Sequence, residues 1–476
     1  MRMKRVKPVS RCWVPLLMVL MALGVISVGR AQAEVDRFAE GASRSIEWLQ
    51  SQASGAGGSV LVAAYTEDGI QLYTVDAAGQ QTWVAGLPSS RIGSLVDKSR
   101  WRGGTSSSLT LSPDGRLLAF TAHRDGDWSL FVYDLAAGTL IEQSLPTNPK
   151  LVWSPDSSAL LLTGGTAYPY NDFVYEVGSE RLIQLTHTKY GESSFGWLPD
   201  SSGLFYQGLY SGCESCETTQ ALYFVTRDAR ETWLLAIGAE LTRAYSDDSV
   251  CWPTWSEPNR RIYFIIGCVA GGNQTNEYLY SVDLAGNVRL EIIGGLNSLY
   301  QREFNVWTSN IHPSPLTSDV YLTIASQGGG DEGRNLSNRR ILHLSAVDEV
   351  ERIYEKVMQT DWLSSSRISP EGSAIALLMY GRGTSNGFLE VIDLATGQRM
   401  IGPGSTPLDV CDVSWDDETT LFYGVDPTGD CDITRSPQSV WMLDTISGKT
   451  QEVTGGLGDN VSIVRQAFVM GRNRPY

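Results

Sequence analysis

The chain has 476 residues, with 37 Lys and Arg against 53 Asp and Glu, 48 Gly, seven Cys and a formal net charge of −16. A surface this acidic repels phosphate backbones and anionic headgroups, which excludes nucleic acid and the anionic face of a membrane as natural partners. Residues 1–33 have the form of an export signal: a basic start (Arg2, Lys4, Arg5, Lys7, Arg11), an apolar stretch over 12–29, and the small-x-small sequence Ala31-Gln32-Ala33. The apolar stretch is about 18 residues, also enough to span a bilayer, so an uncleaved N-terminal membrane anchor is the alternative. Cleavage after Ala33 removes six of the 37 basic residues and no acidic one, leaving a mature charge of −22. Residues 34–58 read as a linker, with Ile46, Trp48 and Leu49 on a short helix before the flexible Ser54-Gly55-Ala56-Gly57-Gly58.

From residue 59 the chain repeats itself. An apolar run ends in an acid and a turn at Leu72-Tyr73-Thr74-Val75-Asp76 with Gly79, Phe131-Val132-Tyr133-Asp134 with Gly138, Tyr280-Ser281-Val282-Asp283 with Gly286, Glu390-Val391-Ile392-Asp393 with Gly397 and Trp441-Met442-Leu443-Asp444 with Gly448. Worn copies lie at 173–178, at 222–228 without a closing glycine, and at 341–348 in stretched form. A second element precedes other apolar runs: Ser112-Pro113-Asp114-Gly115, Ser154-Pro155-Asp156-Ser157 and Ser369-Pro370-Glu371-Gly372, with weaker forms at 198–201, 256–259, 312–318 and 416–418. Pro presets φ, Asp or Ser bonds the local backbone and Gly accepts positive φ, so each such tetrapeptide is a tight turn joining two strands. These turns recur about 42 to 58 residues apart, the period of propeller blades. Helical solenoids are excluded because runs such as Ile262-Tyr263-Phe264-Ile265-Ile266 are short, β-branched or aromatic, and bounded by turn residues.

Seven turns of one kind and eight of the other leave one blade, at 59–87, short of its first strand. The run at 461–469 has strand character and no blade of its own, so it is expected to pair with the first blade as its inner strand and close the ring. The fold class is therefore all-β, a β-propeller over 59–476 with eight four-stranded blades, or seven if the unit around His312 is irregular.

Trp153-Ser154-Pro155-Asp156 and Leu111-Ser112-Pro113-Asp114-Gly115, each followed by an apolar strand, with Tyr133-Asp134 and Gly138 downstream, resemble the WD40-like repeats of TolB-type β-propellers. They are similar also to the propeller domains of prolyl-oligopeptidase-family peptidases. The resemblance spans nearly all of 59–470 and implies the fold; it carries no activity of its own.

Six cysteines follow the signal. Val250-Cys251-Trp252-Pro253-Thr254-Trp255 aligns with Val410-Cys411-Asp412-Val413-Ser414-Trp415, and Cys268 and Cys431 fall just past the next strand of their blades. This alignment points to Cys251–Cys268 and Cys411–Cys431, with Cys213 and Cys216 in a small-loop bridge, although six cysteines allow fifteen connectivities. Half a metal site or a redox pair are the rival readings of Cys213-Glu214-Ser215-Cys216. Asn273, Asn335 and Asn460 stand in glycosylation triplets, which matter only in a glycosylating host.

The second and third strands of most blades are joined by long segments rich in Gly, Asn and Asp: 164–172, 207–220, 267–277, 326–338, 380–387 and 424–437. All emerge on one face, which marks it as the expected binding surface. Its candidate contacts are an aromatic platform of Trp128, Tyr168, Tyr170 and Tyr210 for sugar or peptide, together with Asp331, Arg334 and Arg382. Asp426, Asp430 and Asp432, or Asp125 with Asp127, offer hard oxygens to Ca²⁺, but without the spacing of a full calcium loop; otherwise no cofactor is expected. The Trp residues before the turns, Trp153, Trp197, Trp255 and Trp415, repeat at one position and read as inter-blade core. For catalysis the signal is thin: His123, His187, His312 and His343 fall at different places in the repeat, there is no Gly-x-Ser-x-Gly elbow, and no hydrolase domain follows the propeller. The expected function is an exported, monomeric, non-catalytic binding or scaffolding module for a protein, peptide or cell-envelope carbohydrate, in the periplasm, outside the cell or at the envelope. The alternative is an extracellular lyase or glycoside hydrolase with carboxylates at the channel mouth.

Overall fold

A computed structural model describes residues 59–466 apart from 67–68, 77–78, 89–108, 125–126, 147, 164–171, 187–192, 212–217, 243–246, 269–276, 300–303, 330–334, 360, 382–386, 402–408, 427–438, 456–460 and 464. The signal and linker segments lie outside these residues. The described chain folds into eight antiparallel sheets, one after another along the sequence, each a four-stranded meander with strands A to D from the centre outward. Blades 2 to 8 span 110–145, 150–184, 193–237, 250–290, 304–359, 361–401 and 410–452. The protein is an eight-bladed β-propeller, and the unit around His312 is a regular blade, which removes the seven-bladed alternative.

Blade 1 contributes strands B, C and D (Ser59–Thr66, Gly69–Asp76, Gln81–Pro88), and Val461–Ile463 supplies its strand A, with Ser462 opposite Ala63. The expected single strand over 461–469 divides, however. Arg465–Gln466 pairs in parallel with Thr110–Leu111, the two-residue strand A of blade 2, so the end of the chain ties blade 1 to blade 2. The closing segment first completes blade 1 along its strand B and then takes the inner edge of strand A of blade 2.

The turn chemistry explains the repeat. In blade 2 the Ser112 hydroxyl donates to Asp114 at 2.5 Å and accepts the Leu117 amide at 2.8 Å. In the C-to-D turns the terminal acid gathers amides: Asp444 accepts those of Ile446 and Ser447 at 2.9 and 3.0 Å, and these bonds, Ser447 first, hold its carboxyl below the usual value. Where the sequence has lost its turn glycine, the backbone keeps the left-handed conformation: Ser157, Glu180, Ser201, Ala229, Arg260 and Asp348 all have φ between 50° and 63°. A Cβ there costs about 1–2 kcal/mol. Ala229→Gly should therefore raise stability by about 0.5–1 kcal/mol, seen as a higher urea midpoint at unchanged m.

Adjacent turns are also bonded to each other. The Asp114 amide donates to Ser157 Oγ and the Asp156 amide to Ser201 Oγ, both at 3.0 Å, and the Glu371 amide donates to Glu418 at 2.7 Å. Arg227 of blade 4 reaches Glu176 and Asp156 of blade 3 at 2.6 and 2.9 Å. On this turn face such bonds join blades 2 to 3, 3 to 4 and 7 to 8.

Apolar side chains fill the seams between blades, and Trp153, Trp197, Trp255 and Trp415 are all buried there. Three donate the indole N–H to a strand A carbonyl of the preceding blade: Trp153 to Thr110 at 3.2 Å, Trp197 to Val152 at 3.1 Å and Trp415 to Arg367 at 3.1 Å. Trp255 bonds Glu257 of its own blade instead.

The seam between blades 6 and 7 is more polar. His312 is buried, its Nε2 lies 2.8 Å from Ser366 Oγ, and Arg367 is the next residue on the facing strand. Burial first, and then the charge of Arg367, push the imidazole down to about 3. Because that lies below the free-chain value of about 6.5, the fold holds the ring neutral, and protonation favours unfolding. This contribution is intact above about pH 6.5 and is lost as pH falls toward 3, at roughly 1.4 kcal/mol per unit. Urea unfolding of His312→Gln should show a shallower loss of stability between pH 6 and 4 than the parent, since the acid-sensitive carboxylates are common to both.

Candidate functional site

In a four-stranded meander the A-to-B and C-to-D turns share one face, and the B-to-C loops and inter-blade connections share the other. In blades 4 and 6 the ladder extends into segments whose composition reads as loop. Blade 6 strands B and C run Val320–Gly329 and Asn335–Ala346, so most of the expected loop at 326–338 is ladder. Blade 4 behaves likewise, with Gly203–Tyr210 paired to Thr219–Thr226 across much of 207–220. Gly- and Asn-rich sequence read as loop because both residues weaken strands, but pairing on both sides of strand C overrides that preference.

Of the sequence-derived contacts, Trp128 is the second residue of strand C of blade 2, opposite His123 and half-buried against the seam with blade 3, and Tyr210 ends strand B of blade 4 opposite Thr219, also half-buried. They stand two blades apart. Tyr168, Tyr170, Asp331, Arg334, Arg382, Asp430, Asp432, Cys213, Cys216 and Cys431 lie outside the described residues.

Two places on this face are built alike. In blade 5, Cys251 on strand A is bridged to Cys268 past the end of strand B, with Cα atoms 6.3 Å apart. The Ser249 hydroxyl accepts the Cys268 amide at 3.0 Å. In blade 8, Cys411 at the equivalent position is disulfide-bonded, and its Sγ lies 3.5 Å from the Asp409 carbonyl oxygen. The two remaining described non-glycine residues at positive φ sit beside these cysteines: Trp252 at 48° and Asp409 at 74°. No tight turn requires either conformation, so these are the positions of backbone strain on the loop face.

Asp426 is fully buried, and its amide donates to the Asp409 carbonyl at 3.0 Å. The Asp409 amide in turn donates to Gly387 of blade 7 at 2.8 Å. Burial first, and then the neighbouring Asp426 charge, raise the Asp409 carboxyl above its usual value. Sequence reading singled out Asp426 and passed over Asp409, although Asp409 precedes Val410-Cys411 as Ser249 precedes Val250-Cys251.

The two histidines with described side chains do not converge. His312 lies in the seam between blades 6 and 7, whereas His343 pairs with Asp319 at 2.9 Å near the opposite, turn face. Among the described residues no group of three or more His, Cys, Asp or Glu is arranged to hold a metal ion, and no helix is long and apolar enough to cross a membrane.

No protein-family model matches the chain, and no curated protein matches it. Solved structures similar to it include a prolyl endopeptidase (14% identity, TM-score 0.48, covering 75% of this chain and 49% of that one). An oligogalacturonate lyase in complex with manganese follows at 13% identity and TM-score 0.44, covering 66% of this chain and 84% of that one. TolB from Acinetobacter baumannii is similar at 11% and 0.35, over 75% of this chain and 81% of its own. This chain spans about half the length of the endopeptidase. TolB and the prolyl endopeptidase are of the two propeller types that the turn motif resembles, and at such identities the likeness is one of fold.

Proposed function

We propose that the chain is an exported, non-catalytic propeller that binds a protein, peptide or cell-envelope glycan through its loop face. The observation that carries this reading is the contrast between the two faces. The turn face is bonded across the junctions of blades 2–3, 3–4 and 7–8 and spends its positive-φ residues on turns. The loop face carries the strained Trp252 and Asp409, each beside a disulfide-bonded cysteine. Strain persists where the surrounding structure over-determines it, and a disulfide does that by limiting local freedom. Disulfides also fit an oxidising compartment outside the cytoplasm. Trp128, Tyr168, Tyr170, Tyr210, Asp331, Arg334 and Arg382 are the proposed contacts. Ca²⁺ is the ion that Asp426, Asp430 and Asp432 would take.

A thermal-shift screen of residues 34–476 against peptidoglycan fragments, neutral and acidic oligosaccharides and Ca²⁺, with and without reductant, tests the reading. A ligand that raises Tm only for the oxidised protein supports binding at the disulfide-held face. Turnover of an oligosaccharide without loss on mutation of the loop residues would replace the reading with the channel-mouth enzyme.

A further inference from the structure

The outer rim of the ring carries a second surface, independent of the loop face. Six of the exposed large hydrophobic residues, Trp233, Leu234, Leu284, Val288, Ile293 and Val347, belong to the outer strands and outer turns of blades 4 to 6. They form a connected margin. A Cβ placed on Gly286 of the blade 5 turn would lie 3.9 Å from the Leu235 carbonyl of blade 4, so the two blades come close there, and the Ile293 amide donates to Asp348 of blade 6 at 3.0 Å.

At one end of this margin is Thr232–Ile237, strand D of blade 4, the last strand in its sheet. Outer strands are normally blunted by charge or proline. Those of blades 2, 3, 5, 7 and 8 carry Glu142, Arg181, Arg289, Arg399 and Glu452, and that of blade 1 ends in Pro88. Thr232–Ile237 has no charge and no proline, and its first three residues are exposed. Trp233 is held in place by stacking on Phe224, with centroids 5.2 Å apart. The exposed carboxylates of Glu231, just before the strand, and Glu240, just after it, bracket the strip.

We propose that this strand is a docking edge for an extended, apolar segment of a partner protein that carries basic residues at both ends, added as a further strand to blade 4. Main-chain pairing with the free edge would supply affinity, and Trp233, Leu234, Leu284 and Val288 would receive alternate apolar side chains. The two flanking carboxylates and the overall negative charge select the basic ends and steer the encounter. A second copy of this acidic chain would bring Glu231 and Glu240 against like charges.

The test is fluorescence anisotropy with a labelled Val/Ile/Thr peptide bearing lysines at both ends, the same peptide with glutamates at the ends, and a third with proline at its centre. The lysine peptide should bind saturably and the other two should not. Leu234→Asp should weaken binding by about tenfold, and Glu231→Gln with Glu240→Gln should reduce its salt dependence. Both changes fall on exposed side chains, and an unchanged Tm certifies the fold. Equal binding of the glutamate peptide, or binding unaffected by Leu234→Asp, overturns the proposal. So does a doubled mass in sedimentation that Leu234→Asp abolishes, which assigns the strip to self-association. Because the loop face is untouched by these variants, the outcome is separate from that of the ligand screen.

Discussion

A chain ending at residue 457 should lose cooperative folding, because it lacks both closing strands. Val461–Ile463 is the only strand A that blade 1 has among the described residues, and Arg465–Gln466 fastens the same segment to blade 2. Without them, the seam between blades 8 and 1 is free to open. That seam buries Val62, Val75, Phe422, Val440 and Val453, none more than 1% exposed. At about 1.5–3 kcal/mol for each large apolar side chain returned to water, partial opening removes on the order of 5–10 kcal/mol, comparable with the whole stability of an ordinary domain. Calorimetry of the truncated chain should show a broad or absent transition. Adding a synthetic peptide of residues 461–466 in excess should restore a sharp one, by mass action on the closed ring. A truncated chain that melts as sharply as the parent would mean that the ring closes without this strand.

The ring was legible in the sequence because its turns are fixed by local chemistry. Ser112-Pro113-Asp114-Gly115 states a hairpin by itself, and counting the acid-ended turns between the third and fourth strands yields eight blades even where Ala229 or Asp348 has replaced the glycine. The closing strand was legible for a different reason: an apolar run was left over when every blade but the first was complete. What could not be read depends on tertiary pairing. Nothing local says that the closing segment passes to blade 2 after Ile463, and the Gly-rich ends of the blade 6 strands look like loop until their neighbours are in place. For the candidate site, the cysteine alignment located the two strained positions to within two residues. The strain itself was invisible, since Trp252 and Asp409 have no sequence requirement for positive φ. His312 gave no sign either, because its neutrality arises from burial against a strand more than fifty residues away.

The indole bonds between blades separate two energies that usually travel together. Trp415→Ala removes a buried side chain and leaves a cavity, for an expected loss of about 3–5 kcal/mol. Trp415→Phe keeps most of the apolar area but leaves the Arg367 carbonyl without its indole donor in a buried setting, for about 1–3 kcal/mol. Trp255 supplies the comparison, since its indole N–H bonds Glu257 of its own blade at 2.7 Å, and that residue is exposed, so water can replace the donor. Trp255→Phe should therefore cost clearly less than Trp415→Phe, although both tryptophans stand at the same place in the repeat. Equilibrium urea unfolding at constant m measures the difference. Equal losses would mean that the position acts through packing alone. A larger loss for Trp415→Phe would identify the inter-blade hydrogen bond as part of what fixes one blade against the next.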